Sequence, residues 1–151
     1  MRIAKNESGT VLVELALLLV PLMVLAFGIT EFGRAVYQYN ALAKGVRDAA
    51  RYLSQYAPGD AASQDAAKSL VVCGRTDCTK VPPLVPGMSS SLVKVRDRIS
   101  DPAQFNLQPT GRGVVNLVRV EVVGFTFASA VPGFVRNIVF GPIQATMVQA
   151  L

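Results

Sequence analysis

The strongest pattern in the chain is an apolar run at positions 10–29, twenty residues in which Glu14 is the only charge. A helix of that length rises ~30 Å, the thickness of a bilayer's hydrocarbon core. A cleaved secretory signal is the competing reading, but its apolar region spans only ~7–15 residues and ends in a small-residue cleavage box. Here the run is longer and flows into further helical pattern, which predicts a retained anchor. Pro21 interrupts it, as membrane helices tolerate with a kink. Beyond the run, Phe32, Val36, Tyr39, Ala43, Val46, Ala50 and Leu53 recur at alternating spacings of four and three, a heptad-like stripe. Arg34, Lys44, Arg47, Asp48 and Arg51 fall largely off it. One helix over positions 10–56 would run roughly 70 Å. It is expected to stop at the breaker cluster Ala57-Pro58-Gly59-Asp60. Such a stripe packs onto the protein's own globular part, and the same face is able to pack against other subunits.

The remainder reads as a small α+β domain. Residues 61–70 predict a short helix with Asp60 as its cap. The connector Val81-Pro-Pro-Leu-Val-Pro-Gly87 is stiff, because its three prolines withhold backbone donors. Residues 92–99 alternate as a strand. Residues 114–127 are the clearest strand, with Val118, Val120 and Val122 facing one way and Arg119 and Glu121 the other. The apolar parity then moves to Val123, Phe125 and Phe127, predicting a bulge near Val123-Gly124. Ile143, Ala145 and Met147 alternate with Gln144, Thr146 and Val148 as a last strand. Pro132-Gly133-Phe134 and the apolar stretch 135–140 lie between these two, the latter of open type. The expected fold is therefore α+β: a long N-terminal helix, transmembrane and then amphipathic, followed by a small domain with an antiparallel sheet.

Composition narrows the function. The 151-residue chain has 51% hydrophobic and 17% charged residues, which disfavours wholesale disorder. Its net charge of +5 is scattered, with no basic run to track phosphates, so a nucleic-acid partner is not expected. Histidine is absent, removing the commonest general base and metal ligand. Cys73 and Cys78, the only cysteines, lack further ligands for a metal. They read either as a disulfide across the Gly-Arg-Thr-Asp turn, implying an oxidising compartment, or as two reduced thiols. Ser89-Ser90-Ser91 has no histidine to act as base. Asp60, Asp65, Asp77, Asp97 and Asp101 read as single, solvated carboxylates. Gly111-Arg-Gly113 is too short for a phosphate cradle. No enzyme activity, cofactor or metal site is expected.

Glu14 is the exception. A carboxylate at the centre of a bilayer helix costs about 2.5–3.5 kcal/mol on insertion scales, and less near an interface. The order Gly9-Thr-Val-Leu-Val-Glu14, after the polar leader Met1 to Ser8, resembles a type IV prepilin processing site. With Val13-Glu-Leu-Ala-Leu, Leu19-Val-Pro-Leu, Phe27-Gly-Ile-Thr-Glu-Phe-Gly-Arg34, Asn40-Ala-Leu and Val46-Arg-Asp-Ala-Ala-Arg-Tyr52, residues 9–52 resemble the TadE family of tight-adherence (Tad/Flp) pilus proteins. Leu15 departs from the family pattern, where an aromatic usually follows the glutamate.

The resemblance implies a minor pilin or pseudopilin supporting assembly of a Flp-type pilus for adhesion. Prepilin peptidase would cut between Gly9 and Thr10, and the Thr10 ammonium would then compensate Glu14 within or between subunits. Implied regions are a leader at 1–9, a transmembrane helix at 10–30, its amphipathic continuation at 31–57 and a periplasmic head at 58–151. Implied partners are the peptidase, the major Flp pilin, other TadF/TadG-like minor pilins, the inner-membrane platform and membrane lipid. The N-terminus would be cytoplasmic and the head periplasmic or carried into the extracellular pilus, with which a disulfide agrees. The counts of basic residues flanking the span do not orient it independently. For Glu14 the alternative is an interfacial carboxylate solvated by headgroups, the same reading as Glu31, with Arg34 one turn on as that residue's partner. At the level of function, the alternatives are an uncleaved single-pass scaffold of the secretion machinery and a membrane-tethered periplasmic adhesin or enzyme.

Overall fold

The computed structural model describes residues 8–130 and 137–149. The leader expected before Ser8, and Pro132-Gly133-Phe134 with the start of the apolar stretch after it, lie outside the described residues. Element order is α1 (Ser8–Leu53), α2 (Ala61–Cys73), a 3-10 turn (Ser90–Leu92), β1 (Val93–Arg96), α3 (Pro102–Phe105), β2 (Gln108–Thr110), β3 (Gly113–Val122), β4 (Thr126–Phe127), β5 (Ile138–Val139) and β6 (Ile143–Gln149). Helix plus antiparallel sheet is the α+β class that the pattern predicts. Two compact units divide the chain, one ending at Val36 and the other beginning at Tyr37, and α1 contributes to both.

In the first unit α1 has no core of its own. Its apolar stretch has a mean hydropathy of 2.6 and none of it is buried. Leu12, Leu17, Leu18, Leu22, Leu25 and Ile29 are all exposed, and Pro21 lies inside the helix. This is a helix apolar on every side and long enough to cross a bilayer, in keeping with a single N-terminal membrane anchor.

The second unit is built around β3. Its C-terminal part pairs antiparallel with β1, from Val93↔Val122 to Arg96↔Arg119, and with β6, from Asn116↔Gln149 to Val122↔Ile143. Its first residues form a hairpin with β2. The period-two alternation puts Val118, Val120 and Val122 into the core, each no more than 1% exposed. They meet Leu42, Val46, Ala49, Ala50 and Leu53 of α1, Ala67 and Val71 of α2, and Val85 and Met88 of the proline-rich connector. Burying each Val or Leu side chain contributes about 1.5–3 kcal/mol. Gly45 lets α1 and α2 come together: a Cβ there would lie 3.2 Å from the Val71 Cα and 3.3 Å from its carbonyl oxygen.

Helix ends follow side-chain chemistry. Asp60 caps α2, accepting from the Ser63 N–H at 3.1 Å and from the Ser63 hydroxyl. At the other end Gly74 takes a left-handed φ of +76° and its N–H closes on the Leu70 carbonyl at 3.0 Å. The helix therefore runs three residues beyond the expected Leu70, to Cys73. At the end of α1, the Gln149 amide of β6 donates to the carbonyls of Leu53 and Tyr56, at 3.4 and 3.1 Å. The Leu53 carbonyl also accepts from the Tyr56 N–H at 3.2 Å.

Three expectations are corrected. The predicted bulge near Val123-Gly124 is instead a break: β3 ends at Val122, Gly124 adopts φ +73°, and the chain restarts as β4, which pairs with β5 in a separate ribbon. The break still moves the apolar parity, since Phe125 and Phe127 are each 1% exposed. Both rings lie against Phe140, with centroids 5.5 and 6.4 Å away. The strand expected over 92–99 is only Val93–Arg96, because the Asp97 carboxylate draws the Ile99 and Ser100 N–H groups into a turn. Asp97 is also not solvated; it is 2% exposed.

Candidate assembly helix and the head that carries it

The sequence-predicted site residues fall into three places. Gly9, Thr10 and Glu14 sit in the first turns of α1, all exposed. Thr10 and Glu14 are four positions apart, a rise of about 6 Å and little more than one full turn, so both lie on nearly the same side of the helix. The Glu14 carboxylate projects among exposed leucines and valines, Val13, Leu15, Leu17 and Leu18.

Farther along α1, the Thr30 hydroxyl bonds back to the carbonyls of Ala26 and Phe27, at 3.1 and 2.9 Å, which hides its polar group from an apolar surrounding. Glu31 and Arg34 form the expected one-turn pair. The guanidinium fork holds both carboxylate oxygens, Nε to Oε1 and Nη2 to Oε2, each at 3.2 Å. Glu31 itself is only 6% exposed.

The seven-residue stripe is divided. Val46, Ala50 and Leu53 belong to the core, and Ala43 packs against it. Tyr39 is half-exposed and meets the Phe140 ring edge-on at 5.7 Å. Phe32 and Val36 are exposed, at 71% and 41%. Helix geometry explains the division. A repeat of seven drifts ~20° per heptad on an α-helix, hence ~60° over the three heptads from Phe32 to Leu53. The face actually buried runs through Gln38, Leu42, Val46, Ala49 and Leu53. Gln38 and Ala49 carry too little hydrophobic signal to be singled out by pattern.

Cys73 and Cys78 are bonded, with Cα atoms 5.8 Å apart. The bond ties the last residue of α2 to the loop that follows, leaving Arg75, Thr76 and Asp77 at the surface. Nearby, an open groove of about 460 Å³ runs beside α1 between Lys44, Gly45 and Asp48 on one side and Gly74 and Leu84 on the other.

One polar node was not expected. Asp97 Oδ2 accepts from the Gly59 N–H at 2.8 Å and from the Gln64 amide at 3.1 Å, while Oδ1 accepts from the N–H groups of Ile99 and Ser100 at 3.0 and 2.9 Å. It thereby ties the end of β1 to the α1–α2 link and to α2. Burial favours its protonated form, but the N–H groups of Ser100, Gly59 and Ile99, with the Ser100 hydroxyl, outweigh it and hold the carboxyl below its usual range. Asp60 is held low as well, chiefly by the Ser63 hydroxyl and then by the Ser63 N–H. Outside the core, Arg96 reaches Glu121 at 3.2 Å, and the Arg119 guanidinium lies 5.1 Å from the centre of the Phe105 ring. Among the described residues, no three His, Cys, Asp or Glu side chains come together as a metal site would need.

No curated protein and no solved structure matches the chain. A family does match, over the segment that carries Gly9, Glu14 and the Glu31–Arg34 pair: residues 9–51 fit the family model of the TadE-like proteins.

Proposed function

We propose that this chain is a TadE-like minor pilin or pseudopilin that supports assembly of a Flp-type pilus. The observation that carries the reading is the position of the family match. It begins at Gly9 and covers the wholly apolar, uncovered part of α1 together with Glu14. The coarser statement, a Tad pilus-associated protein with one N-terminal apolar anchor, rests on the match and on the helix directly.

In the finer reading prepilin peptidase cuts after Gly9, and the ammonium released at Thr10 lies about one turn from Glu14. In lipid the two charges compensate one another, within a subunit or between neighbours, and so offset the insertion cost of the carboxylate and fix helix register. The protein works by packing and not by catalysis. Its partners are the major Flp pilin, TadF/TadG-like minor pilins, the inner-membrane platform and lipid. The head faces the periplasm, where a disulfide between Cys73 and Cys78 is at home.

The test uses two substitutions. Gly9→Val should accumulate a species that migrates with the precursor from a peptidase-null strain. Glu14→Ala should insert in the membrane normally yet abolish piliation. Normal piliation by the Glu14→Ala protein would remove the carboxylate from the mechanism.

A further inference from the structure

The strands that flank β3 on either side of residues 119–122 are built differently. β1 presents cations away from the core, Lys94 and Arg96, with Arg98 just beyond its end. β6 is seven residues, Ile143–Gln149, with no charge and no proline, and its register against β3 is unbroken from Asn116↔Gln149 to Val122↔Ile143. Among the described residues no strand pairs with the far edge of β6. Sheet edges are ordinarily protected from pairing by charge, proline or a bulge. β1 carries the first of these, and β6 carries none.

We propose that β6 is a pairing edge for a second copy of this chain, joining two sheets antiparallel about a two-fold axis at Thr146. The sequence of the strand favours its own copy as occupant. Centred on Thr146, antiparallel self-pairing sets Thr146 opposite Thr146, and Gln144 opposite Val148. All three are exposed and lie away from the core. On the core side Ile143 meets Gln149 and Ala145 meets Met147. No charged side chains of the strand oppose one another, and a threonine pair is favourable across strands; the Thr146 hydroxyl accepts from the Arg119 guanidinium at 3.0 Å and keeps its own proton to donate across the axis. Self-pairing of β1 would instead set cations against cations. The contact is isologous and closes as a dimer. The inference rests on the sheet alone and stands whether or not the chain enters a pilus.

Cysteine cross-linking of the full-length protein in its membrane reads the register. Directly opposed residues have Cα atoms ~4.5–5.5 Å apart, within disulfide reach. Thr146→Cys should therefore give a reducible dimer on mild oxidation. Gln144→Cys alone and Val148→Cys alone should stay monomeric, since each would lie roughly 13 Å from its own counterpart. The two co-expressed should cross-link to one another. Adding Thr146→Lys to a chain bearing both Gln144→Cys and Val148→Cys should reduce dimer yield several-fold, by opposing two cations at the axis. A Thr146→Cys protein that keeps its Cys73–Cys78 bond but stays monomeric would overturn the proposal. So would equal cross-linking at all three positions, which marks random collision.

Discussion

The two parts of α1 are made of similar residues and behave in opposite ways. Before Val36, large apolar side chains such as Leu18 and Leu25 are more than half exposed. From Tyr37 onward the helix turns one face inward, and Leu42 and Val46 are 1% and 0% exposed. The difference lies in what each part is built to meet. The first is apolar around its whole circumference, which suits lipid. The second alternates leucine, valine and small residues with Lys44, Arg47, Asp48 and Arg51, which suits a surface helix with one buried side. Hydrophobicity alone does not separate an anchor from a core helix; its distribution around the axis does.

That contrast can be broken at several points. Leu42→Ala should cost the head about 3 kcal/mol, in the range for a buried leucine. Leu18→Ala should leave urea unfolding of the head, followed by near-UV circular dichroism, unchanged. Equal effects would erase the distinction between the two parts.

Asp97→Ala should cost about 2 kcal/mol, because it removes the charged acceptor of the Gly59, Ile99 and Ser100 N–H groups. The pH dependence has a definite sign. The folded-state carboxyl of Asp97 lies below its ordinary value, so its contribution is complete above about pH 4, the unfolded value, and is lost as pH falls through the folded one. Asp97→Asn should flatten that part of the acid limb. An unchanged limb would assign it to other groups.

Replacing both Cys73 and Cys78 by alanine should cost about 2 kcal/mol, the chain-entropy value for so short a loop. Thiol labelling of the native protein should find neither cysteine free. Gly45→Ala, whose added methyl must displace the Val71 backbone by a few tenths of an ångström, should cost about 1 kcal/mol. It should do so without altering membrane insertion.

Much of the architecture was legible because its signals are local. The apolar run, the Asp60 cap, and the alternation in β3 and β6 each lie within a few residues of chain. The missed features depend on distance. Asp97 looks like any turn aspartate until Gly59 and Gln64, 38 and 33 positions earlier, arrive to hold it. The short strand β2 and the single turn α3 are too brief to show a period. The parity shift after Val122 was visible, but a bulge and a break produce the same shift, and Gly124 fits either. In the candidate site, Gly9 and Glu14 stood out because one ionisable group in an apolar run is conspicuous.

The central claim is that Gly9 and Glu14 act together, the first as a cut site and the second as partner to the amine released. Intact-mass analysis of the protein purified from its native membrane, with N-terminal sequencing, tests this most directly. The account predicts a mature chain beginning at Thr10; a full-length chain that retains Met1 through Gly9 in cells making pili would contradict it.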